Sequence, residues 1–265
     1  MKKILLSITF LIVFMSPFIK PALSQSIDNN MVIGEYKTMY SEILSENRQL
    51  IISLPDEYED TTQTYPVLYL IDGEKIFVFA EAVGAKNYLR FNPVFKDMII
   101  VGINTEHKRN RDLIPAIVED RKGSGGAKKF AEFIKEELKP YINKKYRTNG
   151  YEVLYGGSNG GLFAIYTLLE KPDMFDAYIA SSPMIGHCPD FMYKKLSNAI
   201  SITNKKFYVN YGKHDLERAT DFIPDFIEAM KKKKWENFEI RYDYLEDEGH
   251  VPFGSIYSGL KHIFL

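Results

Sequence analysis

The chain alternates short, nearly continuous apolar runs with longer stretches in which apolar residues return at every third or fourth position. The first pattern marks strands buried on both faces, and the second marks helices packed on a sheet. The first run is Arg48–Leu54, RQLIISL, closed by Pro55. Residues 26 to 46 are mixed in character and predict a segment that begins frayed and polar, and the sheet is expected to start at Arg48. A polar loop, Asp56–Tyr65, leads to Pro66–Ile71, PVLYLI, which stops at Asp72-Gly73. The spacing then predicts a helix over Ile76–Leu89 with Phe77, Ala80, Val83 and Ala85 inward, followed by a buried strand at Met98–Ile103, MIIVGI. This β-α-β rhythm implies right-handed crossovers, helices on both sheet faces, and strand C-termini gathered along one ligand-binding edge.

Asn104–Gly126 is the longest stretch without periodicity, and its Arg109, Arg111, Asp112, Pro115 and glycines predict an ordered loop at that edge. Arg111 and the adjacent Asp112 read as a structural ion pair. Arg109 has no neighbouring carboxylate and is the candidate cation for a substrate group. Ala127–Tyr146 returns to helical spacing through Phe130, Phe133, Ile134, Leu138 and Ile142, with a kink expected at Pro140. Beyond Tyr151–Gly161 the pattern predicts a strand at Ala177–Ala180, a helix at Phe191–Ile200, and a strand at Phe207–Tyr211. A helix at Phe222–Met230, a strand at Phe238–Leu245 and an apolar helix at Phe253–Leu265 complete the chain. The whole predicts one α/β domain with a mostly parallel central sheet.

The chemistry centres on Tyr151–Gly161, YEVLYGGSNGG, where a buried strand runs through Gly156-Gly157-Ser158-Asn159-Gly160 into a helical repeat of Leu162, Phe163, Ile165 and Leu168. This is the pattern of a nucleophile elbow, in which glycines let strand and helix approach and the serine is held in a strained turn facing a cleft. The Asn159 amide, at a helix N-terminus, is a candidate oxyanion donor. A serine hydroxyl needs a base, and the base needs an orienting carboxylate. Of five histidines, His250 follows the last strand through Glu246-Asp247-Glu248-Gly249 and is placed to fold back over the elbow. His262 lies in the terminal helix, His107 and His187 precede any candidate acid, and His214 sits beside it. Asp215, after the strand at Phe207–Tyr211, is the expected acid, with Glu217 as the alternative. The second oxyanion donor is expected from the turn after Ile71, at Gly73 or Glu74.

Composition removes other classes. The 265 residues are 45% hydrophobic with a net charge of −1, which gives no electrostatic case for nucleic acid or an anionic membrane surface. The basic run Lys231–Lys234 ends a helix and reads as a solvated face. The acidic Glu246-Asp247-Glu248 lacks the histidine partners of a metal site, and no phosphate loop or dinucleotide fingerprint follows the first strands. Cys188 is the sole cysteine, so no intramolecular disulfide forms, and it reads as a small buried residue. Met1–Ser24 carries Lys2 and Lys3, an apolar run from Ile4 to Phe14, then Pro17, Pro21, Ala22 and Ser24, the order of a signal peptide. Residues 25–265 are then the mature domain, exported to a periplasmic or secreted location, with no later stretch of membrane-spanning length.

With these residues placed, the chain resembles the "putative esterase" family of α/β-hydrolases, the esterase D-like enzymes that include siderophore esterases and carbohydrate acyl esterases. The resemblance spans nearly the whole mature chain. It is carried by YPVLYLIDGE at Tyr65–Glu74, NRDLIP at Asn110–Pro115, KKFAEFIKEELKPYI at Lys128–Ile142, the segment Gly156–Pro183, and Gly249-His250. It implies an α/β-hydrolase fold and hydrolysis of a small-molecule or carbohydrate ester through an acyl-enzyme on Ser158. His250 would act as base and then acid, and no cofactor would be needed. Gly157 stands where the family often has His, and Met184-Ile185-Gly186 where relatives carry bulky aromatics, so the acyl-binding cleft differs. Two other classes fit the same residues: an acyltransferase using the same triad, and a catalytically silent binding protein.

Overall fold

A computed structural model describes residues 31–265, and Val32–Leu265 form one compact unit; the signal segment expected at Met1–Ser24 lies outside the described residues. Eight strands make one sheet: β1 (Glu35–Ser41), β2 (Glu46–Ser53), β3 (Tyr65–Ile71), β4 (Ile99–Ile103), β5 (Thr148–Gly157), β6 (Ala177–Ser181), β7 (Lys205–Gly212) and β8 (Phe238–Leu245). Their spatial order is β1-β2-β4-β3-β5-β6-β7-β8. The β1/β2 and β2/β4 pairs are antiparallel and the other pairs parallel. Among the described residues no helix is long and apolar enough to cross a membrane.

Side-chain alternation in the central strands sorts residues into two cores. Every residue of β3 is buried. Val67, Tyr69 and Ile71 face one layer, while Leu68 and Leu70 face the other. The first layer is built on α3 (Ala127–Phe133), α4 (Lys139–Lys145), α5 (Asn159–Glu170), α6 (Pro189–Asn198) and α8 (Ile223–Lys231). The second rests on α1 (Ile76–Leu89) and α9 (Ser255–Phe264). Two short helices, α2 (Arg109–Leu113) and α7 (Glu217–Thr220), sit in loops at the C-terminal edge of the sheet. Full burial of each Leu, Ile or Phe is worth ~1.5–3 kcal/mol, so the two layers supply the main driving force.

Five elements differ from the sequence reading. The segment before Arg48 is not frayed throughout: β1 pairs with β2 across a turn at Ser45, whose φ is 56°. As an edge strand exposed along most of its length, β1 carries no apolar alternation to reveal it. Helix α1 turns Phe79, Ala82, Val83 and Leu89 inward and leaves Phe77 and Ala80 exposed. Its apolar residues are spread around the helix axis, so periodicity alone leaves its inward face open. The helix at 127–146 is interrupted at Ile134–Leu138 by a wider π turn just ahead of Pro140, which has no N–H to give to an α-helical ladder. Finally, α9 starts at Ser255 rather than Phe253 because Gly254 takes φ 80°, and Ile200 lies beyond the end of α6.

Helix α2 is fastened to the antiparallel side of the sheet by ions. Arg48, almost fully buried, donates from Nη2 to Asp112 Oδ2 at 2.5 Å and lies 2.7 Å from Glu46 Oε1. The expected Arg111–Asp112 pair forms at 2.7 Å, and Arg111 also grips Glu46. The Arg111 guanidinium beside it, outweighing burial, holds the Glu46 carboxyl down at about 2. Removing one partner of a buried pair strands the other charge. Asp112→Ala is therefore expected to lower unfolding free energy by about 3–5 kcal/mol, read as a shift of the urea midpoint at constant slope. An unshifted midpoint would show that Arg48 does not depend on this carboxylate.

Candidate active site

The glycines of the elbow act through close packing. A Cβ on Gly156 would overlap the Gly160 backbone, and one on Gly160 would lie 3.1 Å from Ile71 Cγ2. Between β5 and α5, Ser158 holds φ 60° and ψ −119°. Its N–H donates to Ser181 O at 2.8 Å on β6, and its carbonyl accepts from Leu162 N at 3.0 Å. A non-glycine residue in such a conformation costs ~1–3 kcal/mol, which these bonds and the burial of α5 offset. The Asn159 N–H heads α5 with no intrahelical acceptor.

Two loops meet over this turn. After β7, Asp215 buries its carboxylate completely, and Oδ1 lies 2.5 Å from His250 Nδ1. The same oxygen accepts from Leu216 N at 2.6 Å. This contact requires Nδ1 to carry the proton, which leaves Nε2 of a neutral imidazole as the basic nitrogen. Glu217, the alternative acid, begins α7 exposed and has no hydrogen bond or ion pair to His250. The two loops are stitched by backbone bonds, Lys213 N to Leu245 O at 2.9 Å and His214 N to Glu248 O at 3.0 Å. A Cβ on Gly212 would overlap Glu248 O, so glycine is required there. Ser182 was not singled out in the sequence. Its Oγ accepts the Val251 N–H at 2.8 Å and so fixes the residue after His250, which itself sits at φ 57°. Its only sequence signal is its place in the Ser181-Ser182-Pro183 turn that follows β6.

Ser158 and His250 line one cavity of about 270 Å³, which Asp72, Lys75 and Arg109 also line. No hydrogen bond joins Ser158 to the imidazole; bonds of this kind commonly tighten only around the reacting group. Arg109 does reach the cavity, but it is not the free cation expected. Its Nε and Nη2 each donate to Asp72 at 2.7 Å, a bidentate pair. Burial alone would push the Asp72 carboxyl up; Arg109, Lys75 and the Thr105 hydroxyl hold it below its ordinary value. Asp72, at φ 62°, thereby fixes the turn that was to supply an oxyanion donor. Of the two amides proposed there, Gly73 N–H is already given to Ile103 O at 3.0 Å, which leaves Glu74. The Glu74 carboxylate, pushed up by burial, faces away and accepts from Thr105 N.

The remaining candidates lie elsewhere. Cys188 is buried and its thiol is pushed up to about 12 by burial. His107 and His214 are exposed. His262 packs in α9, and Glu246 pairs with Lys213 at the surface. Among the described residues no cluster of three or more His, Cys, Asp or Glu is arranged to hold a metal.

The family model described as "Putative esterase" matches residues 41–251. The chain is 30% identical over 213 residues to the ferri-bacillibactin esterase BesA of Bacillus subtilis, covering 71% of this chain and 74% of that protein. It is 32% identical over 147 residues to the siderophore triacetylfusarinine C esterase of Aspergillus fumigatus, covering 51% of this chain and 50% of that one. Among solved structures, an IroE-like serine hydrolase from Shewanella oneidensis superposes with a TM-score of 0.78 at 26% identity, over 87% of this chain and 80% of the other.

One buried group outside the cavity has its proton affinity shifted into an accessible range. His187, in the turn at Ile185–His187, accepts from Arg218 Nη1 at 3.0 Å, and Arg218 reaches Asp120 at 2.7 Å. Burial, then the charges of Arg121 and Arg218, push the imidazole from 6.5 down to about 4, against a smaller opposing pull from Asp120. The unfolded chain therefore binds the proton first, and stability falls as pH drops from 6.5 to about 4. His187→Gln is expected to flatten that part of the profile in melting experiments; parallel profiles would show that His187 is not its source.

Proposed function

Because this chain belongs to the "Putative esterase" family of carboxylic ester hydrolases, we propose that it is an exported serine esterase that cleaves siderophore or acylated-carbohydrate esters through an acyl-enzyme on Ser158. The observation that carries this reading is the 2.5 Å contact of His250 with buried Asp215 beside a strained Ser158 in one cavity. His250 Nε2 takes the Ser158 proton as Oγ bonds to the ester carbon, and the carbonyl electrons move onto oxygen, toward the Asn159 and Glu74 amides. Asp215 stabilises the imidazolium through Nδ1–H. Collapse breaks the bond to the alcohol oxygen, which leaves with the proton from Nε2. Water then attacks the acyl carbon, giving its proton to Nε2, and Ser158 departs reprotonated with release of the acid.

The siderophore class is supported by the names of the two relatives and by charge, since Lys75 and Arg109 face the cavity against the single carboxylate of Asp72. That surplus of one positive charge suits an anionic group on the substrate. Export, to a periplasmic or secreted location, is supported by the order of basic, apolar and small residues in Met1–Ser24.

An ester panel tests the assignment, with acetylated and feruloylated sugars, short aryl esters and a trilactone siderophore with and without iron. On the best substrate, Ser158→Ala and His250→Ala are expected to remain folded and lose on the order of 10⁴-fold or more in kcat. Asp215→Asn should cost about 10⁴-fold through loss of the correct tautomer, and Glu217→Gln little. Near-wild-type turnover by folded Ser158→Ala would overturn the mechanism, and a larger loss at Glu217 than at Asp215 would reverse the choice of acid.

A further inference from the structure

We propose that the groove between α1 and α9 binds an uncharged aromatic arm of the ester substrate, an inference that rests on the esterase reading above. The groove encloses about 720 Å³, against about 270 Å³ for the cavity that holds Ser158 and His250. Sites that enclose a drug-sized ligand measure ~300–1,000 Å³. The catalytic cavity alone falls just short of that range, so a substrate of that size extends beyond it.

Phe77 lines both spaces, so groove and catalytic cavity adjoin at that ring. The charged Asp72, Lys75 and Arg109 line the catalytic cavity and not the groove. Phe253, on the same loop as His250, also lines the groove and ties it to the base as well. Phe77, Tyr88 and Phe253 are 64%, 65% and 83% exposed, a concentration of aromatic surface that a soluble chain leaves open where something binds. Ala80 and Gly84 line the same groove. Tyr88 meets Tyr257 edge to face at 5.7 Å and 75°, and such walls accept a further planar ring by stacked or edge contacts. The one carboxylate in the groove, Glu81, accepts the Ile256 N–H at 2.9 Å at the start of α9. Its Oε1 is engaged in holding that helix, and no other acidic or basic side chain lines the groove. The outward Phe77 and Ala80 that periodicity assigned to the core are the residues that build this surface.

The test compares ethyl acetate with two esters that add a naphthyl group, one on the alcohol (2-(2-naphthyl)ethyl acetate) and one on the acyl side (ethyl 3-(2-naphthyl)propionate). Wild-type enzyme should prefer at least one naphthyl ester by kcat/KM. Gly84→Leu fills the groove without touching the core, since no atom lies within 4 Å of an added Cβ there. It also replaces glycine by a better helix former, so its Tm should equal or exceed that of the wild type. The preference is expected to fall roughly tenfold to a hundredfold, mainly through KM, because burial of the ring is lost. Phe253→Ala, which removes an exposed wall, should shift it in the same direction. Ser158-dependent hydrolysis without a naphthyl preference, or with one that both variants leave intact, overturns the groove assignment and leaves the esterase reading standing. Absence of any Ser158-dependent hydrolysis overturns both.

Discussion

Ser158 keeps its unfavourable backbone angles only because neighbouring structure leaves it no other. Its amide is bonded to Ser181 O on β6, Gly156 and Gly160 press strand against helix, and the following α5 is buried along nearly its whole length. A strain of ~1–3 kcal/mol is small beside the burial of Leu162, Phe163, Ile165 and Leu168, at ~1.5–3 kcal/mol each. The sheet is thus the source of the geometry at the turn, and the chemistry at Ser158 depends on packing beneath it.

The same logic extends to the loops that converge on the turn. Asp215 and His250 are held by main-chain bonds between their own loops and by Ser182 beneath Val251. Lower still, Ser181, Asn210 and Ser255 form a buried hydrogen-bonded set that joins β6, β7 and the start of α9. Ser255 also bonds Pro252 O at 2.5 Å, so the loop carrying His250 is fixed behind as well as in front. On the opposite side, the Arg109–Asp72 pair shapes the turn that presents the Glu74 amide. Under the proposed mechanism, preorganisation of this kind would remove the need to assemble a base and donors during the reaction.

What was legible in the sequence follows from range. The strands β3, β4 and β5 declared themselves because burial on both faces leaves unbroken apolar runs. Strand β1 did not, because an exposed edge imposes no pattern. The elbow is a local motif, and Asp215 and His250 stand in the turns after adjacent strands, so chain order sufficed to nominate them. Arg109 was read as unpaired because its partner Asp72 is 37 residues away and is reached only across the sheet. The Gly73 amide was nominated for the same reason, since its acceptor Ile103 lies on the neighbouring strand β4. Helix α1 shows the limit of periodicity itself: its apolar residues are spread around the axis and gave no preferred face, and only packing decided which of them remained outside.

The central claim is that Ser158 is the nucleophile activated by the His250–Asp215 pair. Intact-protein mass spectrometry after reaction with a fluorophosphonate, followed by peptide mapping, tests it most directly. The account predicts one adduct per chain, carried by the peptide that contains Ser158, absent in Ser158→Ala and formed far more slowly in Asp215→Asn. An adduct on another residue, or labelling of Ser158 at the same rate without the Asp215 carboxylate, would contradict it.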